Sequence, residues 1–158
     1  MRVQDLMTRQ VHSCRPNDTL EQAAQLMWNF DCGCIPVCTG NGASRVLGMI
    51  TDRDICMSAL FQGKALKDLH VSDAMSKSVE TCRSSDSLGA VEKIMQKARI
   101  RRLPVLDEED SVVGMISLAD LAREAAHERT RYGKEITNTE VVDSLAAICV
   151  PAKQSLAA

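Results

Sequence analysis

Aromatic residues are scarce in this chain of 158 residues, with one Trp, one Tyr and two Phe. A protein that grips single-stranded nucleic acid by stacking bases needs more rings than that. Neither sign of charge is in excess. Lys and Arg number 19 against 21 Asp and Glu, a formal charge of -2, which removes bulk attraction to nucleic acid or anionic lipid and leaves only a local basic patch. No apolar run approaches the roughly 18 residues that span a bilayer, and the opening MRVQDLMTRQVHSC lacks the apolar stretch of a secretory signal. Phosphate-cradling loops of the G-x-x-x-x-G-K-[ST] and G-x-G-x-x-G types are missing. His12, His70 and His127 share no spacing with a nucleophile or carboxylate that suggests a triad. These absences predict a cytoplasmic, non-catalytic binding protein with neither nucleic acid nor membrane as partner.

What the chain does have is a repeat. Residues 3–37 match residues 71–105 without gaps, so that Val3, Asp5 and Met7 fall on Val71, Asp73 and Met75. Val11, Cys14, Arg15, Asp18 and Leu20 fall on Val79, Cys82, Arg83, Asp86 and Leu88, and Met27, Pro36 and Val37 meet Met95, Pro104 and Val105. Two extra residues in the turn TGNGAS of the first copy change the offset, after which VLGMITDRDI at 46–55 lies on VVGMISLADL at 112–121.

Each copy carries the same elements. A short apolar strand near Val11 or Val79 leads to an Asp suited to cap a helix, and Asp18 precedes Glu21 at capping-box spacing. Leu20, Ala23, Ala24, Met27 and Phe30 then form a helical apolar face, echoed by Leu88, Val91, Ile94, Met95 and Ala98. A strand (IPV or LPV), a polar turn and a second strand (VLGMI or VVGMI) follow. A second helix starts near Asp52 or Leu118 and buries Ile55 and Leu60, or Leu121 and Ala125. The unit is β-α-β-β-α, an α/β (α+β) arrangement whose sheet needs a partner to bury both faces. The organisation is therefore unit one at 1–60, a polar linker at 61–70, unit two at 71–125 and a helical extension at 126–158, with the two units packed as a pseudo-twofold pair. In the extension Thr137 and Glu140 have capping-box spacing, Val141, Val142, Leu145, Ile148 and Cys149 form an apolar stripe, and Pro151 ends the helix.

The two closing segments, Gly48-Met49-Ile50-Thr51-Asp52-Arg53-Asp54 and Gly114-Met115-Ile116-Ser117-Leu118-Ala119-Asp120, carry the most chemistry. In each, a buried strand ends in a hydroxyl, and a carboxylate follows three positions later in the first turn of a helix. A carboxylate accepts two hydrogen bonds from a sugar diol, while the hydroxyl and helix N-terminal amides suit phosphate. The same spacing equally serves to complement the helix dipole and nothing more.

The doubled Gly-apolar-apolar-[Ser/Thr]-x-x-Asp pattern resembles a pair of cystathionine-β-synthase (CBS) domains, a Bateman module, over residues 3–125. That resemblance implies an adenosyl ligand such as AMP, ADP or ATP as a regulatory ligand, with no cofactor required. It places ribose contacts on Asp54 and Asp120 and phosphate-side hydroxyls on Thr51 and Ser117. The adenine slots fall at Val11, His12 and Ser13 with Ile35 and Pro36 in copy one, and at Val79, Glu80 and Thr81 with Leu103 and Pro104 in copy two. Arg53 and Arg102 are the phosphate candidates, because a guanidinium offers paired donors; each serves equally as a solvated surface charge. The resemblance further implies a flat homodimer through the CBS units and an unknown regulated protein. GMITDRDI and the tail signature AIC-x-P are similar to the small stand-alone bacterial hypoxic response protein type, whose members need not bind a nucleotide.

The chain is rich in sulfur, with seven Cys and eight Met. An odd cysteine count forbids a closed set of intramolecular disulfides. Cys32, Cys34 and Cys38 form C-x-C-x₃-C and are weak metal candidates, with His12 and Cys14 in reach across the sheet. Zinc asks for four converging ligands and usually two knuckles, and there is no second one. Copy two has Ile100, Arg102 and Leu106 at the matching positions, so packed thiols are the expected reading and a dimer-bridging metal or disulfide is the alternative. Cys14 and Cys82 sit just before a helix N-terminus, where a thiolate gains some stability, or they fill one pocket twice. Three functions therefore compete: an adenosyl-nucleotide sensor, which leads, a ligand-free structural or stress-response association protein, and a thiol or metal redox sensor.

Overall fold

The computed structural model describes residues 1–40, 44–128 and 138–149. Three features expected above lie outside these residues: the middle of the TGNGAS turn, Thr137 and Pro151. The side chain of His127 is likewise not described.

The repeat organises the fold as expected. In the first copy helix α2 (Leu20–Asn29), strands β1 (Cys34–Cys38) and β2 (Val46–Thr51) and helix α3 (Asp52–Gln62) follow in order. The second copy runs β3 (Cys82–Arg83), α4 (Leu88–Ala98), β4 (Arg102–Leu106), β5 (Val112–Ser117) and α5 (Leu118–Glu128). A short helix α1 (Val3–Leu6) precedes them and α6 (Asn138–Ile148) follows. The antiparallel pairs β1–β2 and β4–β5 have matching registers, Ile35 opposite Ile50 and Leu103 opposite Ile116, with an irregularity after Val37 and after Val105.

Local details differ from the sequence reading for physical reasons. The leading strand lies three residues further along than Val11 and Val79: Cys82–Arg83 pairs in parallel with Val105–Leu106, and Cys14 bridges to Val37. The caps of α2 and α4 are Thr19 and Ser87, not the aspartates; Thr19 pairs with Gln22 in the capping box. Asp18 closes the preceding turn by accepting from the Arg15 amide at 2.7 Å, which an Asp does well. Leu60 is 69% exposed rather than buried. The linker is not wholly polar in role, because Leu69 is buried among the first copy's core residues.

The segments that lead into each copy cross over. Val3 donates to the Asp86 carbonyl at 3.0 Å and Gln4 to Ser84 at 3.0 Å; Val71 donates to Asp18 at 2.9 Å and Ser72 to Pro16 at 2.9 Å. Thr8 then exchanges two backbone hydrogen bonds with Met115 at 2.9 Å, and Ser76 exchanges two with Met49 at 2.8 and 3.0 Å. Consequently Val3 and Met7 belong to the core of the second copy, with Leu88, Val91, Met95, Leu103, Val105, Ile116, Leu121 and Ala125. Val71 and Leu69 belong to the core of the first, with Leu20, Ala23, Met27, Ile35, Val37, Ile50 and Ile55. The glycines opening the closing motifs make room for this exchange. A Cβ on Gly48 would stand 2.7 Å from the Ser76 carbonyl oxygen, and one on Gly114 would stand 2.5 Å from the Met7 sulfur.

Helix α6 lies against α4 and α5. Val141 and Ile148 pack on the second core and Ser144 is fully buried, its hydroxyl 2.8 Å from Gln96 Nε2. The apolar stripe expected of this segment is thus only half used: Val142, Leu145 and Cys149 are exposed. Among the described residues no helix is long and apolar enough to cross a membrane.

Candidate functional site

Two clefts lie where the copies meet, and each takes its walls from both. Cleft A, about 290 Å³, joins Val11, His12, Ile35 and Pro36 of the first copy to Ser117 and Asp120 of the second. Cleft B, about 510 Å³, joins Thr51 and Asp54 of the first copy to Val79 of the second. The slot of one repeat therefore faces the hydroxyl–carboxylate pair of the other, because the crossed leads carry each slot to the opposite unit. Arg102 and Cys34, equivalent positions at the start of β4 and β1, line both clefts. These volumes fall at the lower end and in the middle of the range for small-molecule sites.

The hydroxyl–carboxylate pairs are capping boxes. Thr51 Oγ1 accepts from the Asp54 amide at 3.1 Å, while Asp54 Oδ2 accepts from the Thr51 amide at 2.9 Å and the Thr51 hydroxyl at 2.7 Å. Ser117 and Asp120 repeat this at 3.3, 2.8 and 2.6 Å. One carboxylate oxygen in each pair is thus committed to the helix terminus. The second oxygen differs between the clefts: Oδ1 of Asp120 pairs with the Arg123 guanidinium, whereas the equivalent of Arg123 in the first copy is Met57. Among the described residues no partner is recorded for Oδ1 of Asp54.

Not every expected residue reaches a cleft. Arg53 is exposed outside both, and Thr81, Leu103 and Pro104 line neither, Leu103 being fully buried. In their place stand residues of which the sequence reading named only Glu80 at a slot. Cleft A includes Phe30, whose ring stacks on His12 with centroids 3.3 Å apart, together with Asp31 and Arg123. Cleft B includes Glu80 and, at the exit of α4, Arg99, Ile100 and Arg101. Arg99 and Asp31 are equivalent in the repeat, both just past a helix end and both at positive φ, 55° and 48°. The shared left-handed backbone at two non-glycine positions was not visible in sequence, although their opposite charges were.

The ends of the C-x-C-x₃-C motif are held apart by the strand. Cys34 and Cys38 stand at opposite ends of β1, about 13 Å apart along an extended strand, and Cys38 packs with Leu106 and Val112. Among the described residues no group of three His, Cys, Asp or Glu side chains is placed to hold a metal ion. Burial raises the pKa values of Cys32, Cys34 and Cys38, the Arg102 charge opposing it at the first two. Burial pushes Cys14 and Cys82 up to about 12, aided by Asp18 and Asp86 respectively. The helix-terminus stabilisation of a thiolate at these two positions is therefore outweighed.

Comparison with known proteins fits this geometry. Residues 3–60 and 71–127 each match the CBS domain family. The chain belongs to that family. A CBS domain pair is a regulatory module. The chain is 38% identical over 120 residues to the CBS domain-containing protein YhcV of Bacillus subtilis, covering 76% of this chain and 82% of that one. It is 29% identical over 147 residues to Hypoxic response protein 1 of Mycobacterium tuberculosis, covering 93% of both. A crystal structure of Hypoxic Response Protein I with two coordinated zinc ions superposes with a TM-score of 0.68 at 30% identity, over 78% of this chain and 98% of that one. The CBS domain pair of protein MJ0100, solved in complex with 5′-methylthioadenosine and S-adenosyl-L-methionine, superposes with a TM-score of 0.67 at 25% identity over the same shares.

Proposed function

We propose that this CBS pair is a non-catalytic sensor that binds an adenosyl ligand between its repeats. The observation that carries the reading is the crossed geometry: in each cleft a carboxylate with one oxygen anchored at its helix cap faces apolar residues from the opposite copy. A nucleoside spanning that gap sets its ribose diol on Asp54 or Asp120 and its base against Val79 or against Val11, Ile35 and Pro36. AMP, ADP and ATP are the ligands for which Thr51, Ser117 and Arg102 also have work. Binding bridges both units and thereby biases their relative packing, which is what a regulated protein would read. The two ligands of the MJ0100 complex both carry an adenosyl moiety and support one here, and the likeness to Hypoxic response protein 1 supports a place in a stress response.

A homodimer belongs to the same reading, and the face that supports it is on the first copy. There α2 and α3 expose Trp28 (84%), Leu60 and Phe61 (79%). The equivalent helix pair of the second copy is already covered by α6, and Gln96, the counterpart of Trp28, is the residue that bonds Ser144.

Thermal denaturation with AMP, ADP, ATP, S-adenosylmethionine and NADH tests the ligand reading. At 100 times its Kd a ligand adds about 2.7 kcal/mol of apparent stability. Asp54→Asn and Asp120→Asn keep an acceptor for the cap while removing the charge, and each is expected to cost about 1.5–3 kcal/mol of binding in its own cleft. If no adenosyl compound raises the melting temperature, the sensor reading is wrong.

A further inference from the structure

We infer that cleft B is the polyphosphate-accepting cleft and that cleft A discriminates against phosphate. The inference rests on the adenosyl reading for the nucleoside portion of the ligand, but the charge arrangement stands apart from it. At the exit of the first helix of each copy the chain passes through equivalent backbone geometry with opposite side chains. Asp31 enters cleft A where Arg99 enters cleft B, Gly33 stands where Arg101 stands, and Cys34 where Arg102 stands.

The charges that remain available sharpen the contrast. In cleft B no carboxylate partner is recorded for Arg99, Arg101 or Arg102 among the described residues, and Arg102 contacts the Cys34 thiol. Cleft B also has two acids: Asp54 is tied to Thr51 at the helix cap, and Glu80 is the repeat counterpart of His12 in cleft A. The three arginines that line cleft B offer guanidiniums, whose paired donors suit successive phosphates. In cleft A the added cation, Arg123, is held by Asp120, and Asp31 adds a carboxylate to the lining. Arg102 alone is then left for an anion there. Cleft B is also the larger, at about 510 Å³ against 290 Å³.

The test is titration calorimetry of the full chain with ATP, adenosine and inorganic tripolyphosphate. Variants are Arg99→Asn with Arg101→Gln, and separately Asp120→Asn. Asn is chosen at 99 because it tolerates the left-handed backbone, and unchanged melting temperatures without ligand check the fold. The expected result is that ATP and tripolyphosphate bind the native chain, with both weakened at least tenfold in the arginine variant. Adenosine should change less than twofold, and Asp120→Asn, confined to cleft A, should weaken ATP less than the arginine variant does. Binding of tripolyphosphate through the arginines without any binding of ATP or adenosine sinks the adenosyl reading and upholds the polyphosphate cleft. ATP affinity that ignores the arginines, or that is lost with Asp120→Asn instead, overturns the assignment while leaving the adenosyl reading standing. Failure of every anion to bind the native chain overturns it as well.

Discussion

Cys14 and Cys82 show how one residue type is governed by its surroundings rather than its place in the sequence. Both precede a helix, where the peptide dipole favours a thiolate, yet both are buried and both have an aspartate nearby, so their pKa values rise to about 12. A thiol reacts as its anion, so at pH 8 the folded protein should leave Cys14 and Cys82 unalkylated by iodoacetamide. Cys56 and Cys149, which are exposed, should be modified. Peptide mapping after brief labelling checks this, with labelling of all four in urea as the control. Rapid native-state modification of Cys14 or Cys82 would contradict the burial argument. Asp54 and Asp120 make the complementary point. Their spacing to Thr51 and Ser117 was legible at once, but a capping box and a ribose contact use the same spacing. Only the geometry shows that the box takes one oxygen and that Arg123 takes the other in a single copy.

At the scale of elements, α6 rests on an uncomfortable neighbour. Glu92 of α4 is buried, and its Oε1 has no hydrogen-bond partner among the described residues. Burial raises its pKa above the ordinary carboxylate value, and Glu140 of α6 raises it further. The folded state therefore holds this proton more tightly than the unfolded chain does. The resulting stabilisation is complete below the unfolded pKa and is lost as pH rises through the elevated folded value. Hydrogen exchange of the α6 amides is accordingly expected to quicken with pH beyond the intrinsic chemical dependence. Glu92→Gln should flatten that excess and slow α6 exchange at neutral pH. An unchanged profile in the variant would show that Glu92 does not govern the docking. The first copy has Ala24 at the equivalent position and no described helix above it, so the carboxylate and its cover occur together. The extension's apolar stripe was readable from sequence; that Ser144 rather than Leu145 faces inward was not, since helix orientation is set by the partner surface.

For the whole molecule, pseudo-symmetry makes the differences between the copies informative. With α6 seated on the second copy's helix pair, a flat dimer using both copies' helix faces would first have to displace it. The face proposed above for self-association is the first copy's, where Trp28, Leu60 and Phe61 are exposed. If the homodimer forms there, Phe61→Glu should shift the light-scattering mass toward the 17.3 kDa monomer. Ala126→Glu, at the second copy's counterpart of Leu60, should not. A dimer that survives Phe61→Glu and Trp28→Glu together would place the interface elsewhere.

The sequence by itself determined the repeat, the order of its elements and the pairs Thr51–Asp54 and Ser117–Asp120. These are patterns within a few residues, set by helical and strand periodicity and by the reach of a capping side chain. It also held the charge contrast of Asp31 and Arg99. The tertiary structure alone decided that Val3 and Met7 seat in the second copy and Val71 and Leu69 in the first. Matching leads offer nearly the same apolar side chains to either seat, so no local pattern ranks the two. The choice falls to how the whole chain closes, and that crossing joins each slot to the opposite aspartate and gives the two clefts their different charge.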